Sequence, residues 1–308
     1  MEVRLSGGDD RNLMERLLEK QIPLSNSCNG KGTCGKCKVR VVSGTITDVT
    51  DTERRLLTEK EVAGRMRLAC MTKARGEVVI ETGEGEEDHV FTTGGVEGHF
   101  ERDADKHGYG LAVDIGTTTV VATLVNMDDG TEGATYAQIN PQKTYGLDVL
   151  TRITYETEYK EKAITQLQEA IVHGLNEAIK GICAEAGIDV TQIGEIDIAA
   201  NCTMLHMLAG VDARPIGRAP YKPAFTDGQK LKARDLGLMG AADAMVYLLP
   251  SVSAYIGADI VAGVYVCDLR HSPGKTLFID IGTNGELVLE AGGKMYSCSC
   301  AAGPALEG

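Results

Sequence analysis

Four cysteines crowd into the first quarter of the chain as Cys28-x5-Cys34-x2-Cys37, with Cys70 after 32 further residues, and no other feature constrains the fold as tightly. One long, one short and one distant gap is the spacing that wraps a loop around a 2Fe-2S cluster, because two irons must each receive two thiolates. Gly30, Gly32 and Gly35 let such a loop turn tightly and aim backbone N–H groups at the sulfurs. Zinc is the competing occupant, but structural zinc sites favour two paired Cys-x2-Cys knuckles and only one pair is present. Cys28, Cys34, Cys37 and Cys70 are therefore read as the metal ligands.

Ligation also suits the cysteine count better than disulfides do. Nine is odd, and the start Met1-Glu2-Val3-Arg4 lacks the basic-then-apolar order of a secretion signal. Cys183, Cys202, Cys267, Cys298 and Cys300 are expected to behave as small buried hydrophobes. No apolar run approaches the roughly 18 residues of a membrane span, so the reading is cytoplasmic with no membrane partner. A net charge of -13 disfavours a nucleic-acid partner, whose binding draws on clustered Lys and Arg.

At 308 residues the chain has room for two domains. Alternation and helical spacing predict strands at 2–5, 38–42 and 77–81, and helices near Leu13 to Leu18 and over 59–66. This order suits a β-grasp carrying a cluster loop, over 1–82. The five-residue gap between Cys28 and Cys34, against four in plant-type spacing, points toward adrenodoxin-like or related ferredoxins. Residues 83–108 turn to Gly, Glu and Asp without apolar periodicity and read as an acidic linker. His89, His99 and His107 in it lack metal-ligand spacing, and His206 reads as a satisfied core residue.

From residue 109 a meander is predicted over 111–117, 120–125 and 134–139, then a long amphipathic helix through Ile164, Leu167, Ile171, Leu175, Ile179 and Ile182. A strand at 195–200 and helices over 202–208 and 254–269 follow. Then Asp114-Ile115-Gly116-Thr117 returns as Asp280-Ile281-Gly282-Thr283, 166 residues later, again strand, turn, strand. Glycine lets phosphate oxygens approach the backbone, hydroxyls add donors, and the carboxylate suits a hydrated magnesium ion or an attacking water. One such turn is as readily a plain hairpin. Two copies in a duplicated fold point to a nucleotide clamp. The second copy is expected to end as a hairpin near Cys298, without the helices that followed the first, so a fragment is expected.

The cysteine loop, Asp114 to Thr119, Asn140-Pro141-Gln142, Tyr145-Gly146, Asp148, Ser253 to Asp259, Asp280 to Gly285 and Ser299 to Pro304 together resemble the ferredoxin-containing reductive activators of corrinoid proteins. These belong to the acetate kinase, sugar kinase, Hsp70 and actin superfamily. The resemblance implies α+β and α/β architecture: a 2Fe-2S ferredoxin, then an actin-like, ribonuclease H-like ATPase domain over 109–308 with its second subdomain incomplete. It implies ATP with Mg2+ as a second cofactor, held by Gly116, Thr117, Thr118, Gly282, Thr283, Asn284 and Gly285, with Asp114 and Asp280 catalytic. The implied activity is ATP-coupled reduction of Co(II) to Co(I) in a corrinoid protein or corrinoid-dependent methyltransferase, fed by a low-potential electron donor; a homodimer is left open. Asn201-Cys202-Thr203-Met204 departs from the family's usual Asn-Thr-Thr-Met. Two rivals stand beside this reading. An activator of a radical dehydratase or aromatic-ring reductase would use a 4Fe-4S cluster between subunits, against the spacing. A tethered ferredoxin with an inactive ATPase fragment fits the missing second half.

Overall fold

Val3 and Leu5 point inward and Glu2 and Arg4 outward along β1 (Glu2–Leu5), as period-two alternation requires. The computed structural model describes residues 2–6, 10–20, 22, 24, 30, 32–33, 35–82, 103, 105–282 and 284–301. Cys28, Cys34, Thr283, His89, His99 and most of the expected linker lie outside them. By their contacts the residues form two units, 1–89 with 142–155 and 90–141 with 156–308. No sequence signal assigned 142–155 to the first.

In the first unit, three helices start alike. Asn12, Thr50 and Thr58 each accept the backbone N–H three residues on, and Glu15, Glu53 and Glu61 reach back to the cap's own N–H. These capping boxes open α1 (Leu13–Glu19), α2 (Asp51–Leu56) and α3 (Glu59–Ala63), with β2 (Lys38–Ile46) preceding α2. The helix expected over 59–66 stops at Ala63, because Gly64 caps it and Arg65 takes a φ of 60°. Met66 instead enters β3 (Met66–Leu68), which pairs with β2. With β4 (Ala74–Thr82) the sheet runs β1-β4-β2-β3, all pairs antiparallel. Leu5, Leu13, Leu17, Val39, Leu68, Val78 and Ile80 fill the core beneath it.

The second unit opens with the expected meander, β5 (Tyr109–Ile115), β6 (Thr119–Asn126) and β7 (Thr131–Ile139). After α4 (Val149–Tyr159), the 26-residue α5 (Glu161–Ala186) packs along β6 and β7 with its Ile and Leu stripe inward. Then β8 (Ile193–Ala200) pairs in parallel with β5 and leads into α6 (Cys202–Ala209). Three elements follow that periodicity did not announce, β9 (Gln229–Lys232), α7 (Ala233–Leu236) and β10 (Met245–Leu248); all are short. The sheet order is β7-β6-β5-β8-β10-β9. His206 is buried as expected. Its Nδ1 donates to the Cys202 carbonyl at 2.7 Å, its Nε2 accepts from Ala224 N–H at 3.1 Å, and its ring stacks on Phe225 at 4.1 Å.

The helix expected over 254–269 is shorter. A turn closes 253–256, Gly257 caps α8 (Ala258–Val266), and Asp268 breaks it with a φ of 45°. The repeat then appears as β11 (Thr276–Ile281), β12 (Asn284–Ala291) and β13 (Lys294–Ala301), a full meander rather than a hairpin ending at Cys298. α8 covers one face, with Gly263 against Phe278 and Ile260 beside Val288. The other face separates the two copies. Leu111, Val113 and Ile115 are 2, 5 and 0% exposed, whereas Leu277, Ile279 and Ile281, at the matching positions, are 51, 52 and 69% exposed. Cys183 and Cys202 are buried as expected; Cys267, Cys298 and Cys300 are exposed, correcting the expectation for those three.

Candidate metal centre and phosphate site

Pairing of β2 with β3 builds half of the metal centre. Lys38 lies opposite Leu68, and Ala69 N–H donates to the Cys37 carbonyl at 2.8 Å, so Cys37 and Cys70 emerge side by side. Their sulfurs are 3.3 Å apart and buried. That exceeds the ~2.05 Å of a disulfide and leaves two free thiols close enough together to turn toward one metal ion. Gly30, Gly32 and Gly35 have φ of 80°, 69° and 69°, the left-handed turns expected of the loop. Cys28 and Cys34 lie outside the described residues. The described part fits a cluster.

Behind Cys70 sits a network that spacing did not reveal. Glu53 Oε1 accepts from Arg67 Nε at 2.9 Å, Leu68 N–H at 3.1 Å and Thr72 Oγ1 at 3.2 Å, and its Oε2 from Arg67 Nη2 at 2.9 Å. Burial alone would raise this carboxyl, but Arg67 and the N–H donors outweigh it and hold it near 2.

In the second unit the two Asp-Ile-Gly-Thr turns bring their carboxylates together. Burial, then Asp259 and then Asp280, hold Asp114 up at about 6. Burial raises Asp280 and Asp259, and Asp280 adds to the latter; burial and both aspartates raise Glu286. Asp280 faces Glu286 directly across β11 and β12, a like-charge pairing that costs stability unless a cation offsets it. Among the described residues, no three His, Cys, Asp or Glu side chains are close enough to share an ion directly. Asp259 opens α8 and Glu286 sits in β12; the sequence reading named neither as a site residue.

The first turn is held from two sides. Asn140 Nδ2 donates to the Gly116 carbonyl at 2.7 Å, and Asn201 Nδ2 donates to Thr117 Oγ1 at 3.1 Å. In the second turn Gly282 N–H donates to the Asn284 carbonyl at 3.0 Å and Gly285 pairs with Ile281. A groove of about 590 Å³ lies farther along the sheet and α8, lined by Glu195, Asp197, Tyr247, Val261 and Tyr265. The Lys106 ammonium pairs with Glu195 there and sits 5.0 Å from the centre of the Tyr247 ring.

Comparison with known proteins agrees with both halves. Residues 2–75 match the 2Fe-2S iron-sulfur cluster binding domain, 109–272 the RACo middle region, and 274–308 the C-terminal domain of RACo, the ASKHA domain. The chain is 35% identical over 204 residues to the corrinoid activation enzyme RamQ of Eubacterium limosum, covering 66% of this chain and 34% of that protein. It is 23% identical over 209 residues to the [Co(II) methylated amine-specific corrinoid protein] reductase of Methanosarcina barkeri, covering 65% and 37%. A solved reductive activator for corrinoid, iron-sulfur protein superposes on 99% of the chain with a TM-score of 0.63 and 29% identity, over 62% of its own length. The chain thus spans about a third of these curated relatives. The fold is the expected one, a ferredoxin-type domain followed by an actin-like domain. Because the RACo middle region takes in more than half of its residues, the chain belongs to that family.

Proposed function

We propose that this chain delivers low-potential electrons to a corrinoid protein, reducing Co(II) to Co(I), and couples the transfer to ATP hydrolysis. The observation that carries the reading is the repulsion by which Asp259 and Asp280 raise Asp114, in a chain that also sets a cluster-type thiol pair. The names of the relatives, a corrinoid activation enzyme and a corrinoid protein reductase, supply the acceptor class.

Cys37 and Cys70 would share one iron of a 2Fe-2S cluster, and Cys28 and Cys34 the other. Such a cluster supplies single electrons near -400 mV in plant-type surroundings. Asp114 and Asp280 would hold the waters of Mg2+ on a bound ATP, while Gly116, Thr117, Thr118, Gly282, Thr283, Asn284 and Gly285 line its phosphates. With Asp114 held near 6, the cation would complete its ionisation and relieve the repulsion among its neighbours. A bound phosphate chain would be held by the turn after β5 and the turn after β11 together, so its hydrolysis would remove a ligand common to both. That cycle is the means by which ATP would drive an unfavourable reduction. A low-potential donor and a cytoplasmic setting complete the proposal.

The test is an anaerobic assay with Ti(III) as donor and a cob(II)alamin-loaded protein as acceptor. Co(I) absorption should appear with MgATP, and Asp280→Ala should abolish it while leaving reduction of the iron-sulfur centre intact. Equal Co(I) formation without ATP, or with Asp280→Ala, would reject the coupling and favour a tethered ferredoxin.

A further inference from the structure

Asn201 makes two side-chain bonds, one as acceptor and one as donor. Its Oδ1 accepts Met204 N–H at 3.0 Å, capping α6, while its Nδ2 donates to Thr117 Oγ1, 84 positions earlier in the chain. Serine or aspartate would cap equally well but lacks the amide donor. The backbone that opens α8 presses against the same residue. A Cβ on Gly257 would stand 2.5 Å from Asn201 Cα and 2.5 Å from Asp259 Oδ1. Asn201 thus stands where the first turn, the start of α6 and the Asp259 end of α8 meet.

Asn140 braces the turn on its other side. Its Nδ2 donates to the Gly116 carbonyl, and its backbone N–H donates to the Thr118 carbonyl at 2.7 Å. Carbonyl and N–H point opposite ways in a trans peptide, so drawing both carbonyls toward Asn140 directs the following N–H groups away from it. Carbonyl oxygens facing a phosphate would repel it; these two are held elsewhere.

We propose that Asn201 is a positioning residue for the first phosphate turn, using one amide to cap α6 and to fix the Thr117 hydroxyl in the turn that follows Asp114. The proposal rests on the reading of that turn as a phosphate site. Its rival is a cap and nothing more.

Asn201→Ser separates the two, since it keeps a capping oxygen and loses the longer amide N–H group that reaches Thr117. Binding of MgATP, and of magnesium tripolyphosphate as a probe without the nucleoside, is measured by titration calorimetry on the whole chain. The variant should melt with the unmutated protein yet bind both probes roughly fivefold to tenfold more weakly, the worth of one hydrogen bond. Thr117→Val should lose at least as much, Thr117→Ser little, and Asn201→Ser should add nothing in the Thr117→Val background, because the hydroxyl that Asn201 positions is already gone. Unchanged affinity in Asn201→Ser, or losses that add in the double variant, would overturn the proposal while leaving the phosphate site standing. Absence of binding by the unmutated chain would overturn the phosphate reading and the proposal with it.

Discussion

Glu53 does two jobs, and only one of them is written beside it. Thr50-x-x-Glu53 is a capping box that any scan of neighbours can find, although the absence of a long apolar stripe kept α2 out of the sequence reading. The second job, gathering Arg67, Leu68 and Thr72 around Cys70, depends on partners 14 to 19 positions away and on burial that leaves the carboxylate 0% and Arg67 3% exposed. Asn201 is the same kind of residue, legible as a cap and illegible as the partner of Thr117. Glu53→Gln should leave the Arg67 charge buried and unmatched, costing about 3–5 kcal/mol. Thermal melts followed by the visible iron-sulfur absorption should show the cluster lost at lower temperature. Since the folded carboxyl titrates near 2 against 4.5, this stability is present above pH ~4.5 and is lost as pH falls toward 2.

At the scale of elements, the sequence was clearest where apolar periodicity ran long. α5, the β5–β7 meander and the repeated turn were all legible, whereas β9, α7 and β10, at four residues each, carry too little pattern to stand out. Burial was not legible at all from the repeat. Val113 and Ile279 occupy the same place in matching strands, yet Val113 is 5% exposed in the sheet that α5 packs on, and Ile279 is 52% exposed. Which face is covered depends on what packs there, not on the strand itself. Val113→Ala should therefore cost about 1–3 kcal/mol, and Ile279→Ala under about 0.5 kcal/mol. Urea denaturation of the two variants side by side checks this; equal losses would mean that the second face is covered in solution.

Across the whole molecule, the two units should answer pH differently. In the second, burial is the first cause raising Asp114 to about 6, Asp197 to about 6 and Glu156 to about 7, and it also raises Asp259, Asp280 and Glu286. A carboxyl that titrates higher when folded than when unfolded holds its proton better in the native state. Its contribution is present at low pH and is lost as pH climbs through the window from about 4 to 7. His206 works against this, because burial lowers its pKa, but it is one group against six. In the first unit Glu53 titrates far below the window. Calorimetry from pH 7.5 down to 5.5 should therefore move the transition of the actin-like domain upward while that of the ferredoxin unit stays nearly level. Asp114→Asn should stabilise the ligand-free protein at pH 7.5 and flatten the slope, because it removes a charge that faces two other carboxylates. Mg2+ with ATP should do the same for the unmutated chain and little for the variant. If Asp114→Asn instead destabilised the domain at pH 7.5, the carboxylates would have to be held together by a compensating cation from the protein itself, and the case for a magnesium-bound phosphate between the two turns would fall.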